Sequence, residues 1–141
     1  MIGAILAKKA ILSGYSALNQ RDLKGFLSSW HENCVFIYPG NIYASGTFEG
    51  KSEVEQWFKR FFDQFAEVKF EIHNVCVEKI FDMVGNNNAT ANWNIILKKH
   101  DGSVIRNSGI TLLTIKRGKV LKAQDYLFDL GDNFRKEWSV L

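Results

Sequence analysis

An aspartate stands on the apolar face of the last strand that the sequence predicts. After the turn at Lys116–Lys119, one face of this strand carries Leu121, Ala123, Asp125 and Leu127. A carboxylate that points into a core or cavity loses its hydration, and desolvation raises its pKa toward neutral pH. Asp125 is therefore predicted to act as a general acid or base. The alternative is a structural aspartate tied to Tyr15, a tryptophan indole or a backbone donor.

Two tyrosines are the next groups that could take part in chemistry. Tyr15 lies on the buried stripe of the first predicted helix, and Tyr38 ends a short predicted strand. A phenol can donate a hydrogen bond to a carbonyl or enolate oxygen, which is what an oxyanion stabiliser must do. Tyr15 is thus the second predicted catalytic residue, although either hydroxyl could instead be satisfied by the backbone.

Aromatic side chains dominate the predicted inward faces, as expected from four Trp and eleven Phe in 141 residues. They could line a ligand cavity or fill a bulky core, and an aromatic stripe at helical spacing fits both. The predicted substrate-binding residues are Trp30, Tyr38, Trp57, Phe61, Trp93 and the strand amide Asn107.

Other kinds of site are not indicated. His31, His73 and His100 do not share a metal-ligand spacing, so neither a metal nor a cofactor is predicted. The sequence has no glycine-rich phosphate loop and no nucleophile elbow. Asp129, at the end of the last strand, is better explained as a cap for a short terminal helix beginning near Gly131.

The bulk composition limits the possible partners. A net charge of +3, from 18 basic and 15 acidic residues without a basic run, does not predict nucleic-acid binding. No apolar stretch approaches the length of a membrane span, and the N-terminal lysines follow the apolar run instead of preceding it. We therefore expect a cytoplasmic protein that does not contact a membrane.

Three helices are predicted in the first half of the chain. The first covers residues from about 3 to 19, and the second follows a cap at Asp22, with apolar residues at Leu23, Phe26, Leu27 and Trp30. The third begins at Ser52, where Glu55 completes a capping box.

The second half of the chain changes to a period of two. Four long strands are predicted there, at 68–81, 89–99, 104–116 and 119–129, and the short turns between them predict antiparallel neighbours. A further short strand is predicted earlier in the chain, at Cys34–Tyr38. The apolar phase of the first long strand slips between His73 and Cys76, which predicts a bulge. Together the elements form one α+β domain over residues 1–141.

This order of elements resembles the nuclear transport factor 2-like superfamily. Four segments are similar to its SnoaL-like branch, namely Asn19-Gln-Arg-Asp22, Trp30-His-Glu-Asn-Cys-Val-Phe-Ile-Tyr-Pro39, Gly46-Thr-Phe-Glu-Gly-Lys51, and Gly118-Lys-Val through Asp125-Tyr-Leu-Phe-Asp129. The resemblance implies a cone-shaped, curved antiparallel sheet wrapped around three N-terminal helices, with a short C-terminal helix and a cavity at the wide end. It also implies that Asp125 matches the proton-transferring aspartate of SnoaL-like cyclases and limonene epoxide hydrolase. The Arg-x-Asp pair of that hydrolase has no counterpart in Asn92-Trp-Asn-Ile-Ile96.

Two functions are consistent with these features. The first is a cofactor-independent lyase, isomerase or cyclase in which Asp125 moves a proton on a small, apolar carbonyl compound. The second is a non-catalytic module that binds a hydrophobic ligand or forms a homodimer through the sheet. For the dimer, the predicted outward-facing residues are Ile96, Thr111, Leu113 and Ile115.

Overall fold

A curved, unclosed six-stranded sheet and three N-terminal helices make up most of the protein. The structure is a computed structural model that describes residues 1–137; residues 138–141, which belong to the predicted domain 1–141, lie outside the described residues. The helices are α1 (Ile2–Asn19), α2 (Leu23–Ser28), α3 (Lys51–Gln64) and α4 (Asp132–Glu137). The strands are β1 (Trp30–Tyr38), β2 (Gly46–Glu49), β3 (Glu67–Val77), β4 (Asn87–Lys98), β5 (Val104–Lys116) and β6 (Lys119–Leu127).

The strands follow the order β2-β1-β6-β5-β4-β3 across the sheet. The predicted antiparallel pairing of β3 with β4, β4 with β5 and β5 with β6 is confirmed. The first and last strands, β1 and β6, lie side by side and are parallel. Short turns force consecutive strands to be antiparallel, whereas β1 and β6 are far apart in the chain and free of that constraint. The α+β fold predicted from the sequence is confirmed.

The helices cover one face of the curved sheet, which is its inner face; the opposite side is the outer face. α1 packs against β3, and α3 packs against β1. The side-chain amide of Asn19, at the end of α1, donates to the Phe70 carbonyl (2.9 Å), and its oxygen accepts from the Phe70 N–H (2.7 Å). Since β3 is an edge strand, this pair satisfies backbone groups that have no neighbouring strand. It holds the last turns of α1, and with them Tyr15, over the sheet.

The capping box predicted for α3 is wrong. The helix begins at Lys51 and its N-cap is Gly50, with φ +86° and no side-chain cap. A glycine reaches this conformation at low cost, so the helix can start before Ser52. Glu53 then reaches back, and its carboxylate accepts from the N–H of Glu49 at 2.7 Å.

A bulge interrupts each of two strands. In β3, Ile72 pairs with Trp93 and Asn74 with Asn92, so His73 is the extra residue and the predicted bulge is confirmed. The bulge in β6 was not predicted. Thr114 pairs with Lys122 but Ile115 pairs with Val120, which leaves Leu121 as the extra residue. As a result Val120, not Leu121, is buried on the inner face.

The face assigned to β5 is also corrected. Thr111, Leu113 and Ile115 were predicted to point outward, yet all three are buried on the inner face. Ile110 and Leu112 occupy the outer face of the same strand. Because both faces of β5 are apolar, alternation alone does not identify the one that turns inward.

Gly109 leaves room for a tryptophan on the inner face of the sheet. It lies directly opposite Trp93 in the register of β4 and β5. A methyl group at position 109 would lie 2.7 Å from Cη2 of Trp93 and closer still to the carbonyl oxygen of Tyr126. Only glycine therefore fits here without displacing the indole ring.

We expect Gly109→Ala to lower the free energy of unfolding by about 1–3 kcal/mol, the usual cost of overpacking a core. Urea titration followed by tryptophan fluorescence measures the change. Gly14→Ala in α1 is the matched control, because a methyl group there would make an ordinary 3.9 Å contact with Phe26. It should stabilise the helix by roughly 0.5–1 kcal/mol. Equal stability of the Gly109 variant and the parent would contradict the packing argument.

Candidate functional site

A pocket of about 50 Å³ lies between α1 and the inner face of the sheet. Most of its wall is apolar, with side chains such as Ile11, Leu18, Trp30, Phe36 and Phe58. The polar side chains on this wall are Tyr15, Ser29, Thr111 and Asp125. An apolar pocket with a few convergent polar groups is typical of small-molecule sites.

The hydroxyl group of Thr111 joins three of the site's side chains. It accepts hydrogen bonds from the Tyr15 hydroxyl (2.8 Å) and from Nε1 of Trp93 (2.9 Å). It donates to Oδ1 of Asp125 at 2.7 Å. The strand register accounts for the last contact, because Thr111 and Asp125 are direct partners on β5 and β6. The site is thus assembled from α1, β4, β5 and β6.

Asp125 also borders a second, smaller cavity of about 30 Å³. Four predicted substrate-binding residues, Tyr38, Trp57, Phe61 and Trp93, line this cavity. Trp30, the fifth aromatic residue of the prediction, lines the larger pocket together with Tyr15. Asp125 therefore stands between two aromatic-walled spaces.

Asn107, the sixth predicted substrate-binding residue, lines neither cavity. Its amide donates to the carbonyl of Asp129 at 3.0 Å, and its oxygen accepts from the N–H of the same residue at 3.3 Å. These bonds tie the end of β6 to β5. The Asp129 carboxylate accepts from the N–H of Gly131 at 2.8 Å, just before α4. Both side chains organise the chain that follows the last strand.

Burial perturbs both predicted catalytic residues. Desolvation raises the pKa of Asp125 to about 7, and the hydrogen bond from Thr111 opposes the rise. Asp125 is partly accessible, but its free surface faces the apolar cavities. Desolvation also raises the pKa of Tyr15 well above its usual range, with a further contribution from the charge of Asp125. Asp125 can therefore exchange a proton at neutral pH, while Tyr15 stays a neutral phenol.

Thr111 is a site residue that the sequence pattern did not predict. The turn pairs Lys116 with Lys119, and regular pairing from there would set Asp125 opposite Ile110. The extra residue at Leu121 shifts the register by one and brings Thr111 opposite Asp125 instead. The one indication in the sequence that a residue such as Thr111 must be present is Asp125 itself, since a buried carboxylate needs a hydrogen-bond donor nearby.

No metal site or membrane-spanning helix is found in the part of the chain that the structure describes. Among the side chains of residues 1–136, no group of three His, Cys, Asp or Glu is arranged to hold a metal ion. None of the described helices is long and apolar enough to cross a membrane.

Comparison with known proteins gives a family and several similar structures. The SnoaL-like domain matches residues 12–123. The Bal32a protein from a soil-derived mobile gene cassette is 19% identical, with a TM-score of 0.81 over 96% of this chain and 98% of its own. A nuclear transport factor 2-like protein of unknown function from Burkholderia pseudomallei K96243 is 15% identical, with a TM-score of 0.80 over 95% and 98%.

A candidate SnoaL-like polyketide cyclase from Jannaschia sp. CCS1 is 14% identical, with a TM-score of 0.73 over 89% of this chain and 87% of its own. At these identities the similarity establishes the fold. No curated protein matches the chain.

Because the pKa of Asp125 is raised, the difference in stability between the parent protein and Asp125→Asn should depend on pH. Below about pH 3 the folded and unfolded chains both carry the proton. As the pH rises toward 7 the unfolded chain ionises first, so stability is lost across this window and the loss is complete above it. Asp125→Asn has no charge to desolvate. Its free energy of unfolding relative to the parent should therefore rise by about 2.6 kcal/mol from about pH 5 to about pH 8.

Urea titrations of both proteins at several pH values measure this difference. Asp63→Asn, on the exposed side of α3, is the matched control and should not show it. Parallel curves for the parent and Asp125→Asn would contradict the desolvation of Asp125.

Proposed function

The chain belongs to the SnoaL-like domain family, and we propose that it is a cofactor-independent enzyme of the isomerase, lyase or cyclase type. Its substrate is a small, largely apolar carbonyl compound bound between α1 and the sheet. Asp125 moves a proton at the carbon next to the carbonyl group.

The setting of Asp125 is the observation that carries this proposal. A general acid or base works best when its pKa is near the working pH, and burial raises the pKa of Asp125 to about 7. Oδ1 is held by Thr111. Among residues 1–137, no hydrogen bond reaches Oδ2, so this oxygen can meet a substrate in either cavity.

The proposed reaction requires only proton transfer. The ionised Asp125 takes a proton from the carbon beside the carbonyl, which leaves an enolate, and then returns the proton at another position. The aromatic walls keep water away from the enolate and strengthen every electrostatic contact with it. A pocket of about 50 Å³ holds only a few water molecules, so the substrate bound in this state is compact.

The alternative is a binding module that holds a compact apolar ligand without changing it. The same pocket supports this function, because its apolar lining alone would stabilise a ligand. The two proposals differ in what Asp125 does: binding alone does not require that it exchange a proton with the ligand.

Exchange of the α-hydrogens of cyclohexanone for deuterium separates the two functions. In D₂O near pH 7 the parent protein should accelerate the exchange, and proton NMR measures its rate. Asp125→Asn should lower the catalysed rate by on the order of 10²-fold or more, because the amide cannot act as a base. Asp129→Asn is the matched control on the same chain segment and should retain the rate, since Asp129 bonds to the backbone of Gly131.

A second pair of variants tests whether exchange takes place in the pocket. Ala10 lines the pocket, so Ala10→Leu should occupy part of it and slow the exchange. Ser13→Leu adds the same side chain on the exposed side of α1 and should not. Cyclohexanone that binds but exchanges equally slowly with the parent and Asp125→Asn would favour the binding module.

We also propose that the outer face of the sheet forms a homodimer. Leu112 and Tyr126 are 44% and 47% exposed there, beside the half-buried Ile96 and Ile110. An apolar patch of this kind is commonly covered by a partner, and a two-fold axis would pair the patch with itself.

Light scattering at micromolar concentration should give twice the mass of one chain. Leu112→Arg places a charge in the interface and should give the mass of a monomer, while Lys8→Glu, a charge change on exposed α1, should leave the dimer intact. A monomeric parent protein would contradict the dimer and leave the pocket proposal unaffected.

A further inference from the structure

We propose that Asp125, Thr111 and Tyr15 form a proton relay that carries a proton between Asp125 and an oxygen atom of the bound ligand. The proposal rests on the proposed function in one respect, namely that the pocket binds a compact oxygen-bearing ligand. It assigns Thr111 a role in positioning the proton, and it gives Tyr15 a role that depends on the charge of Asp125.

The direction of each hydrogen bond follows from the three partners of Thr111. A threonine hydroxyl has one hydrogen and two acceptor lone pairs. The indole N–H of Trp93 can only donate, so it occupies one lone pair at all times. The Thr111 hydroxyl is left with its hydrogen and one lone pair. One of these serves Tyr15 and the other serves Asp125. Only two arrangements are therefore possible.

The first arrangement belongs to ionised Asp125. A carboxylate can only accept, so Thr111 must donate to it, and Tyr15 must then donate to Thr111. The hydrogen of Tyr15 is used within the protein. The phenol oxygen presents only lone pairs to the pocket, so a ligand hydroxyl group can donate to it, while a ketone bound in this state is held by apolar contacts alone.

The second arrangement becomes available when Asp125 is protonated. Its O–H can donate to Thr111, and Thr111 can then donate to Tyr15. The hydrogen of Tyr15 is released and can turn to a carbonyl oxygen in the pocket. Reversing the chain around a carboxylate would instead leave a buried charge facing a lone pair, which is costly.

Proton transfer along the chain converts one arrangement into the other. Asp125 gives its proton to Thr111, Thr111 gives its own to Tyr15, and Tyr15 protonates the ligand oxygen. Three O–H bonds break and three form, so an enolate oxygen becomes an enol and Asp125 becomes a carboxylate. The heavy-atom steps of 2.7 Å and 2.8 Å are within the range of good O–H···O bonds. The reverse sequence removes the proton from an enol or a phenol.

Few other titratable groups face the hydrogen bonds that link Asp125, Thr111 and Tyr15. Tyr15 reaches it from α1, Thr111 and Asp125 come from β5 and β6, and Trp93 of β4 carries no charge. The lining of the two cavities within residues 1–137 adds Tyr38 of β1, and no Lys, Arg, His or second carboxylate. The charge of Asp125 therefore decides which way the hydrogen bonds between Asp125, Thr111 and Tyr15 point.

The relay predicts what the pocket selects at each pH. A ketone, which only accepts, gains a hydrogen bond from Tyr15 when Asp125 is protonated, and binds more weakly, through apolar contacts, when Asp125 is ionised. Its affinity should fall by up to about tenfold per pH unit above the pKa of Asp125 and then level off at the affinity of the ionised form, because ligand binding and proton binding are linked. A phenol can donate to Tyr15 when Asp125 is ionised, so its affinity should not show this fall.

Cyclohexanone and phenol are suitable probes, with affinities measured by NMR titration of the protein between about pH 5 and about pH 9, a range that brackets the Asp125 pKa. In the parent protein, cyclohexanone should lose affinity with rising pH and phenol should not. Thr111→Val lacks the hydroxyl and should abolish the pH dependence of cyclohexanone binding. Thr111→Ser keeps the hydroxyl and should restore it, which a merely structural role of Thr111 would not require.

Tyr15→Phe provides a second route if Thr111→Val does not fold. It removes the last donor of the chain, so cyclohexanone should bind more weakly and with no pH dependence. A pH dependence that persists in either variant would mean that Asp125 contacts the ketone directly, and would overturn the relay. A flat profile in the parent protein, with cyclohexanone bound, would overturn the relay and leave the pocket proposal standing. Failure of both probes to bind at any pH would contradict the proposed function itself.

Discussion

Three hydrogen bonds meet at the hydroxyl group of Thr111, and the arrangement of the candidate site depends on them. Tyr15 and Trp93 donate to this oxygen, and Thr111 donates to Asp125. Each bond needs a separate feature of the fold. Asn19 holds the end of α1 over β3, Gly109 leaves room for the indole ring, and the bulge at Leu121 sets the register of β6.

The site places a desolvated carboxylate in an otherwise apolar interior. Such a group lowers stability at neutral pH, because the fold favours its neutral form. The surrounding aromatic core supplies the compensating stability, with Trp57 stacked 5.5 Å from Phe61 and Phe70 edge-on 5.4 Å from Trp93. Proteins commonly accept this kind of local cost where a polar group serves a ligand or a reaction.

Much of the fold could be predicted because helix and strand periods are local properties of the sequence. The three N-terminal helices, the four long antiparallel strands and the bulge at His73 all appear as changes of period, and the structure confirms them. The extent predicted for the second helix is wrong, because α2 ends at Ser28 and Trp30, predicted on its apolar stripe, begins β1. The inward direction of Asp125 followed from the same alternation. The start of α3 at Lys51, after the Gly50 N-cap, and the inner face of β5 could not be predicted this way, because glycine conformation and two apolar strand faces leave no periodic signal.

By itself, then, the sequence determined the α+β architecture, the aromatic character of the interior and the aspartate that faces it. The tertiary structure decided which groups contact that aspartate. Tyr15 and Thr111 are 96 residues apart in the chain, and Thr111 and Asp125 are 14 apart. Hydrogen bonds depend on distances within a few tenths of an ångström. A single extra residue in β6 changes those distances completely. It shifts the pairing of β5 and β6 by one residue, so that Thr111 instead of Ile110 lies opposite Asp125.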